Sequence, residues 1–278
     1  MKFTYCSSTV AAIAFWATSN GYVIGYSAGH ISGVSGLSGL QGNNSLQTRT
    51  SGNNSNRRTL KARQSQPAGS LVNYTCQSSF IDFTDREALG KFNVEWCPQN
   101  TYQTQNSVVW RLTPECGTTI VFPWDFQYGK IEGRIRAAHG SGVVSTVLLA
   151  GPEPADELDW EWVGRDTLTA QSMYFVKGQR VDPVPQYLNT PGGIPQDMAA
   201  GFHNYAIELN KDSVKWYIDD WLVRTLPRVD GVPFPVGASR PRMGVWDGTQ
   251  TSGWAGTVDW SQGPFTAEMQ WFKFTPYC

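Results

Sequence analysis

From about residue 70 onward, short apolar runs alternate with Gly, Pro, Asn and Asp, and little helical periodicity is visible. Ile131, Gly133, Ile135 and Ala137 alternate with Glu132, Arg134 and Arg136, the period of two expected of a strand with one wet face. Residues 143–149 form an apolar run, broken only by Ser145 and Thr146, and predict an inner strand. Residues 205–209 and 214–218 flank Asn210-Lys211-Asp212-Ser213, and Asp219-Asp220 precedes 221–226, so two successive hairpins are predicted. Residues 243–246, 257–260 and 266–274 supply further strands. Many antiparallel strands without repeats predict an all-β fold, a jelly-roll sandwich of two antiparallel sheets with a concave substrate cleft. A closed barrel is the alternative.

One run stands apart from this ordinary patterning. In Glu157-Leu158-Asp159-Trp160-Glu161 the alternation of an extended strand puts three carboxylates on one face, while Leu158, Trp160 and Trp162 fall on the other. The apolar side anchors the strand. Like charges repeated on one face repel and Asp is a poor strand former, so local propensity gives no reason for the pattern. A catalytic row is the favoured reading, and a solvated face or cation site the competing one. Paired carboxyls suit glycoside cleavage, in which one attacks the anomeric carbon and a second protonates the leaving oxygen. Retention of configuration needs carboxyls about 5 to 5.5 Å apart and inversion about 6.5 to 9.5 Å. Residues 157 and 161 have Cα atoms about 13 Å apart along a strand, so side chains leaning together on a bowed face favour retention. Asp159 between them separates their roles by sharing a hydrogen bond and by like-charge repulsion.

Composition narrows the partner. Of 278 residues, 16% are charged and the net charge is -1, which indicates neither a nucleic-acid footprint nor a polybasic membrane patch. Twelve Trp and eleven Tyr supply flat amphipathic rings suited to sugar faces. Trp246, Trp254 and Trp260 are candidates for a sugar platform, and Gln171 and Tyr174 for contacts with sugar hydroxyls; core packing is the competing role for each. His203 reads as a packed, hydrogen-bonded histidine. No phosphate loop, Ser/His/Asp order or metal-ligand spacing is recognisable, so chemistry without metal or cofactor is expected from a monomer.

The first third differs from the rest. Lys2, the apolar run 10–17 and the small residues after it read as a secretory signal over residues 1–20, too short to span a membrane. Residues 21–66, rich in Gly, Ser, Asn and Gln, read as a disordered leader with a dibasic pair at Arg57-Arg58. Residues 67–278 form the expected catalytic domain. Beyond Cys6 in the signal, Cys76, Cys97, Cys116 and Cys278 predict two disulfides in one of three connectivities. Asn43, Asn53 and Asn73 begin glycosylation triplets.

The run Asp156-Glu157-Leu158-Asp159-Trp160-Glu161-Trp162-Val163-Gly164 resembles the active-site strand of glycoside hydrolase family 16, most closely its fungal Crh-type cell-wall transglycosylases. Tyr128-Gly129-Lys130-Ile131-Glu132, Gly142-Val143-Val144-Ser145, Phe202-His203-Asn204-Tyr205, Gly244-Val245-Trp246-Asp247 and Gly256-Thr257-Val258-Asp259-Trp260 extend the likeness over residues 76–274. The resemblance implies Glu157 as nucleophile, Asp159 as assisting acid and Glu161 as general acid/base. It also implies chitin-type donors and β-glucan or chitin acceptors in the fungal wall. A hydrolysing endo-β-glucanase and a silent glycan-binding protein are the alternatives. Met173 departs from the family, whose members usually carry a polar residue there. The chain stops at Pro276-Tyr277-Cys278 without the Ser/Thr-rich tail and lipid-anchor signal of many relatives, so a freely secreted or wall-bound protein is expected.

Overall fold

The computed structural model describes residues 72–181 and 185–278. The expected signal, the leader, Arg57-Arg58, Asn43 and Asn53 lie outside the described residues. Strands numbered along the chain form two antiparallel sheets. The supporting sheet runs Trp221–Pro227 (β14), Ser213–Ile218 (β13), His203–Leu209 (β12), Gly129–Arg136 (β6), Phe265–Pro276 (β16), Val108–Leu112 (β4), Thr101–Gln103 (β3), with Ser79–Asp82 (β1) paired to β16. The site sheet runs Gln179–Arg180 (β10), Ala170–Val176 (β9), Glu157–Val163 (β8), Val143–Ala150 (β7), Arg240–Asp247 (β15), Thr118–Val121 (β5), Asn93–Trp96 (β2), with Gln186–Leu188 (β11) paired to β9. This is the expected jelly-roll sandwich rather than a barrel.

Burial follows the sequence alternation. Every second residue of β6 is buried, while β7 is buried along almost its whole length, as its apolar run predicts. Trp110, Ile131, Ile135, Phe272 and Phe274 of the supporting sheet meet Ile120, Leu158, Trp160, Trp162 and Met243 of the site sheet in one core. Both hairpins form. In the first, the Asn210 side-chain oxygen accepts from the amides of Asp212 and Ser213, each at 2.9 Å. In the second, Asp219 and Asp220 take φ of 48° and 67°, left-handed values that Asp tolerates and that match the twist of a two-residue hairpin.

Residues 257–260 are not a strand. Asp259 caps a short 3-10 turn, Trp260–Gln262, accepting from the Ser261 amide and hydroxyl and from the Gln262 amide group. Capping chemistry outweighs the β-type composition there. The four cysteines pair Cys76 with Cys278 and Cys97 with Cys116, so the first bridge closes a loop across 202 positions. His203 is buried and its Nδ1 lies 2.8 Å from Asp219 Oδ2, the structural role expected of it.

Candidate active site

Strand β8 sits inside the site sheet between β7 and β9, and Asp156 fixes its entry. The Asp156 carboxylate accepts from the Lys177 and Gly237 amides, each at 2.8 Å. A Cβ at Gly237 would lie 3.1 Å from that carboxylate, so glycine allows the approach. Toward the core, Trp160 donates its indole N–H to Ala206 O on β12 at 3.0 Å, and Trp216 of β13 donates to Asp159 O at 3.0 Å. Two indoles therefore tie this strand to the supporting sheet, and its apolar face is committed to the core.

The other face carries the acids. Glu157 and Glu161 are half-buried and Asp159 is 2% exposed. Across the strands, Glu157 pairs with Ala150 and Phe175, Asp159 with Leu148 and Met173, and Glu161 with Thr146 and Gln171. Asp159 thus lies between two apolar side chains, and its Oδ1 is buried without a donor. Arg242 shares its register row but is turned to Glu95, 2.6 Å away.

Burial and mutual repulsion set the protonation of the row. Burial, then the charge of Glu157, raises Glu161 to about 8, against the pull of Arg180. Asp159 is pushed well above the ordinary carboxylate range by burial, by the charges of Glu157 and Glu161, and by its hydrogen bond with Glu157. Glu157 is also raised by burial, but the hydrogen bond from Asp159 and the Arg242 charge oppose that rise. A hydrogen bond between two carboxyl groups needs a proton on one of them, so with Asp159 donating to Glu157 the row can hold a protonated and an ionised member side by side. One acid can give a proton while its neighbour keeps a lone pair for attack.

Aromatic side chains border the row. Trp246 and Trp254 stack with ring centroids 6.1 Å apart. Trp246 donates to Thr146 Oγ1 and Trp254 to Gln171 Oε1, both at 2.9 Å, and Thr146 and Gln171 are the two cross-strand neighbours of Glu161. The stacked pair is anchored on either side of that acid.

The model of the glycosyl hydrolases family 16 matches residues 88–262, which include every strand of the site sheet. The chain belongs to family 16. Within that family it is similar to fungal Crh-type members. It is 39% identical over 158 residues to Crh-like protein 5 of Aspergillus fumigatus, covering 53% of this chain and 39% of that protein. Congo red hypersensitive protein 1 of Saccharomyces cerevisiae is 34% identical over 159 residues, covering 54% of this chain and 30% of the yeast protein. The chain thus spans well under half the length of these curated relatives. Among solved structures, Crh5 transglycosylase in complex with NAG superposes with a TM-score of 0.65 at 30% identity, covering 74% of this chain and 87% of that one. A Bacillus licheniformis β-glucanase shares the fold, with a TM-score of 0.60 at 22% identity, over 72% of this chain and 98% of that one.

Two of the expected contact residues of this family 16 chain lie elsewhere. Tyr174 pairs with Leu158, so it faces the core, where it is 3% exposed. Trp260 stands on the 3-10 turn, packed on the core beside Phe265 at a centroid distance of 6.3 Å, apart from the Trp246–Trp254 pair. Gln171 shares the acid face, bound to Trp254. Tyr187 and Trp96 also reach the level of Glu161 through the strand register. Parity along β11 is the one sequence signal for Tyr187, and Trp96 lacks even that, because the register of β2 shifts between Val94 and Trp96.

Proposed function

We propose that this chain is a secreted retaining transglycosylase of the fungal cell wall, cleaving chitin-type β-1,4 donors and passing them to β-glucan or chitin acceptors. Ionised Glu157 attacks the anomeric carbon while Glu161 gives its proton to the departing glycosidic oxygen, leaving a glycosyl ester on Glu157. An acceptor hydroxyl then attacks that carbon, Glu161 takes the hydroxyl proton, and the Glu157 carboxylate is released. Asp159 holds the hydrogen bond to Glu157 through both steps. Gln171, Trp246 and Trp254 bind the sugars, and an acceptor held on aromatic rings competes with water by its raised effective concentration.

The observation that carries the reading is the row of Glu157, Asp159 and Glu161 on one face of β8, in which burial and mutual repulsion raise the proton affinity of all three while the hydrogen bond from Asp159 opposes that rise at Glu157. The Crh-type likeness favours transfer between wall polymers. Secretion through residues 1–20, retention in the wall, glycosylation at the exposed Asn73 and action as a monomer belong to the same proposal.

The test is an incubation of chitin oligomers with labelled glucan oligomers, analysed by mass, for wild type and Glu157→Gln. Hybrid chains are expected from wild type only. Shortened chains alone would make the enzyme a hydrolase, and near-normal product from Glu157→Gln would remove the nucleophile assignment. That variant is expected to keep oligosaccharide binding, because it deletes the attacking charge with little change in shape.

A further inference from the structure

Pairing register continues the level of Glu161 across the whole site sheet. On one side it passes through Gln171 of β9 to Tyr187 of β11. On the other it passes through Thr146 of β7, across β15, to Thr119 of β5 and Trp96 of β2. Residues in one such row share a face of the sheet. Both end members present open rings, Tyr187 at 55% exposure and Trp96 at 39%.

Trp96 reaches this face by an irregularity. The register shifts between Val94 and Trp96, and the extra residue breaks the alternation of the edge strand. Val94 packs on the core, while Glu95 turns to Arg242 at 2.6 Å and Trp96 takes Thr119 as its partner. The Trp96 carbonyl accepts from Thr118 Oγ1 at 2.9 Å, and the next residue is bridged in the Cys97–Cys116 disulfide. The ring therefore stands on braced backbone, which lowers the ordering cost of binding to it.

We propose that Trp96 and Tyr187 are the outermost sugar platforms of the acid face, each stacking on a pyranose of a β-linked chain laid across the strands. Strands lie about 4.8 Å apart, close to the length of one β-linked pyranose, so Trp96 meets a sugar about four units from the cleaved bond and Tyr187 one about two units away on the other side. The rings are neutral and flat, as an uncharged polysaccharide requires. This inference rests on the glycosidase reading of the acid row and gives it a length preference.

The experiment measures kcat/KM over chitin and glucan oligomers of increasing length for wild type, Trp96→Ala and Trp96→Phe. The ratio between the longest and shortest chains is expected to fall by about tenfold in Trp96→Ala, the scale of one lost stacking contact, and to stay within about threefold of wild type in Trp96→Phe. Because the readout is a ratio, a partly unfolded sample does not imitate it. An unchanged ratio in Trp96→Ala overturns the inference. Calorimetric binding of the longest oligomer to Glu157→Gln, with and without Trp96→Ala, separates the two claims. Trp96-dependent binding without turnover by wild type sinks the glycosidase reading and keeps the platform, whereas turnover with Trp96-independent binding does the reverse.

Discussion

Met173 stands directly opposite Asp159 in the adjacent strand, and both are 2% exposed. Directly paired residues have Cβ atoms about 4.5–5.5 Å apart, within reach of a side-chain hydrogen bond that a thioether does not donate. With Leu148 on the other side, Asp159 Oδ1 is left without a donor. Met173→Asn is expected to supply one, stabilising the ionised form and moving the pH–activity profile toward acid by about half a unit to one unit. Met173→Leu should leave the profile in place. Equal profiles for all three proteins would show that residue 173 does not act on the acid row.

Glu161 must carry a proton to act as the acid, and its affinity is raised to about 8 by burial and by Glu157. Activity is therefore expected to persist through neutral pH and to fall as pH rises through about 8. In Glu157→Gln the repelling charge is gone while burial remains, so titration of Glu161 followed by carboxyl NMR should move down. A titration unaffected by that substitution would show that the two acids are not coupled.

The same shift makes a stability prediction. A carboxyl whose proton affinity is higher folded than unfolded stabilises the fold fully below its unfolded value, near 4.3 for glutamate, and loses that contribution as pH rises to the folded value. For Glu161 the window runs from the ordinary glutamate range up to about 8. Tm should decline across it, and Glu161→Gln should flatten the decline. A variant with the wild-type slope would contradict this origin of the pH dependence.

Trp160 and Trp216 each leave a buried carbonyl without its donor when changed to Phe, a loss of about 1–3 kcal/mol apiece. Urea denaturation is expected to show both losses. Trp216→Phe should also lower kcat, because the carbonyl it holds belongs to Asp159 itself. Unchanged midpoints would show that water replaces these bonds without cost.

Much of this arrangement was legible in the chain. The alternation of β6, the Asn210 and Asp219-Asp220 turns and the acid row all follow from local rules, because each is a period-two pattern or a turn preference. Tyr174 was legible too, since residues 171 and 174 differ by an odd number and cannot share a face of one strand. Asp259 before Ser261 marked the cap that replaced the expected strand at 257–260. Trp96 was not legible: its direction depends on a register slip against β5, a long-range pairing that no local pattern encodes. The environment of Asp159 likewise depends on which strands flank β8.

The proposed chemistry turns on a covalent sugar on Glu157. The most direct measurement treats the enzyme with an activated 2-deoxy-2-fluoro glycoside of a chitin- or glucan-type donor and locates the adduct by peptide mass spectrometry. One sugar esterified to Glu157 and products that keep the anomeric configuration are expected. An unlabelled Glu157 peptide together with inverted products would contradict that chemistry.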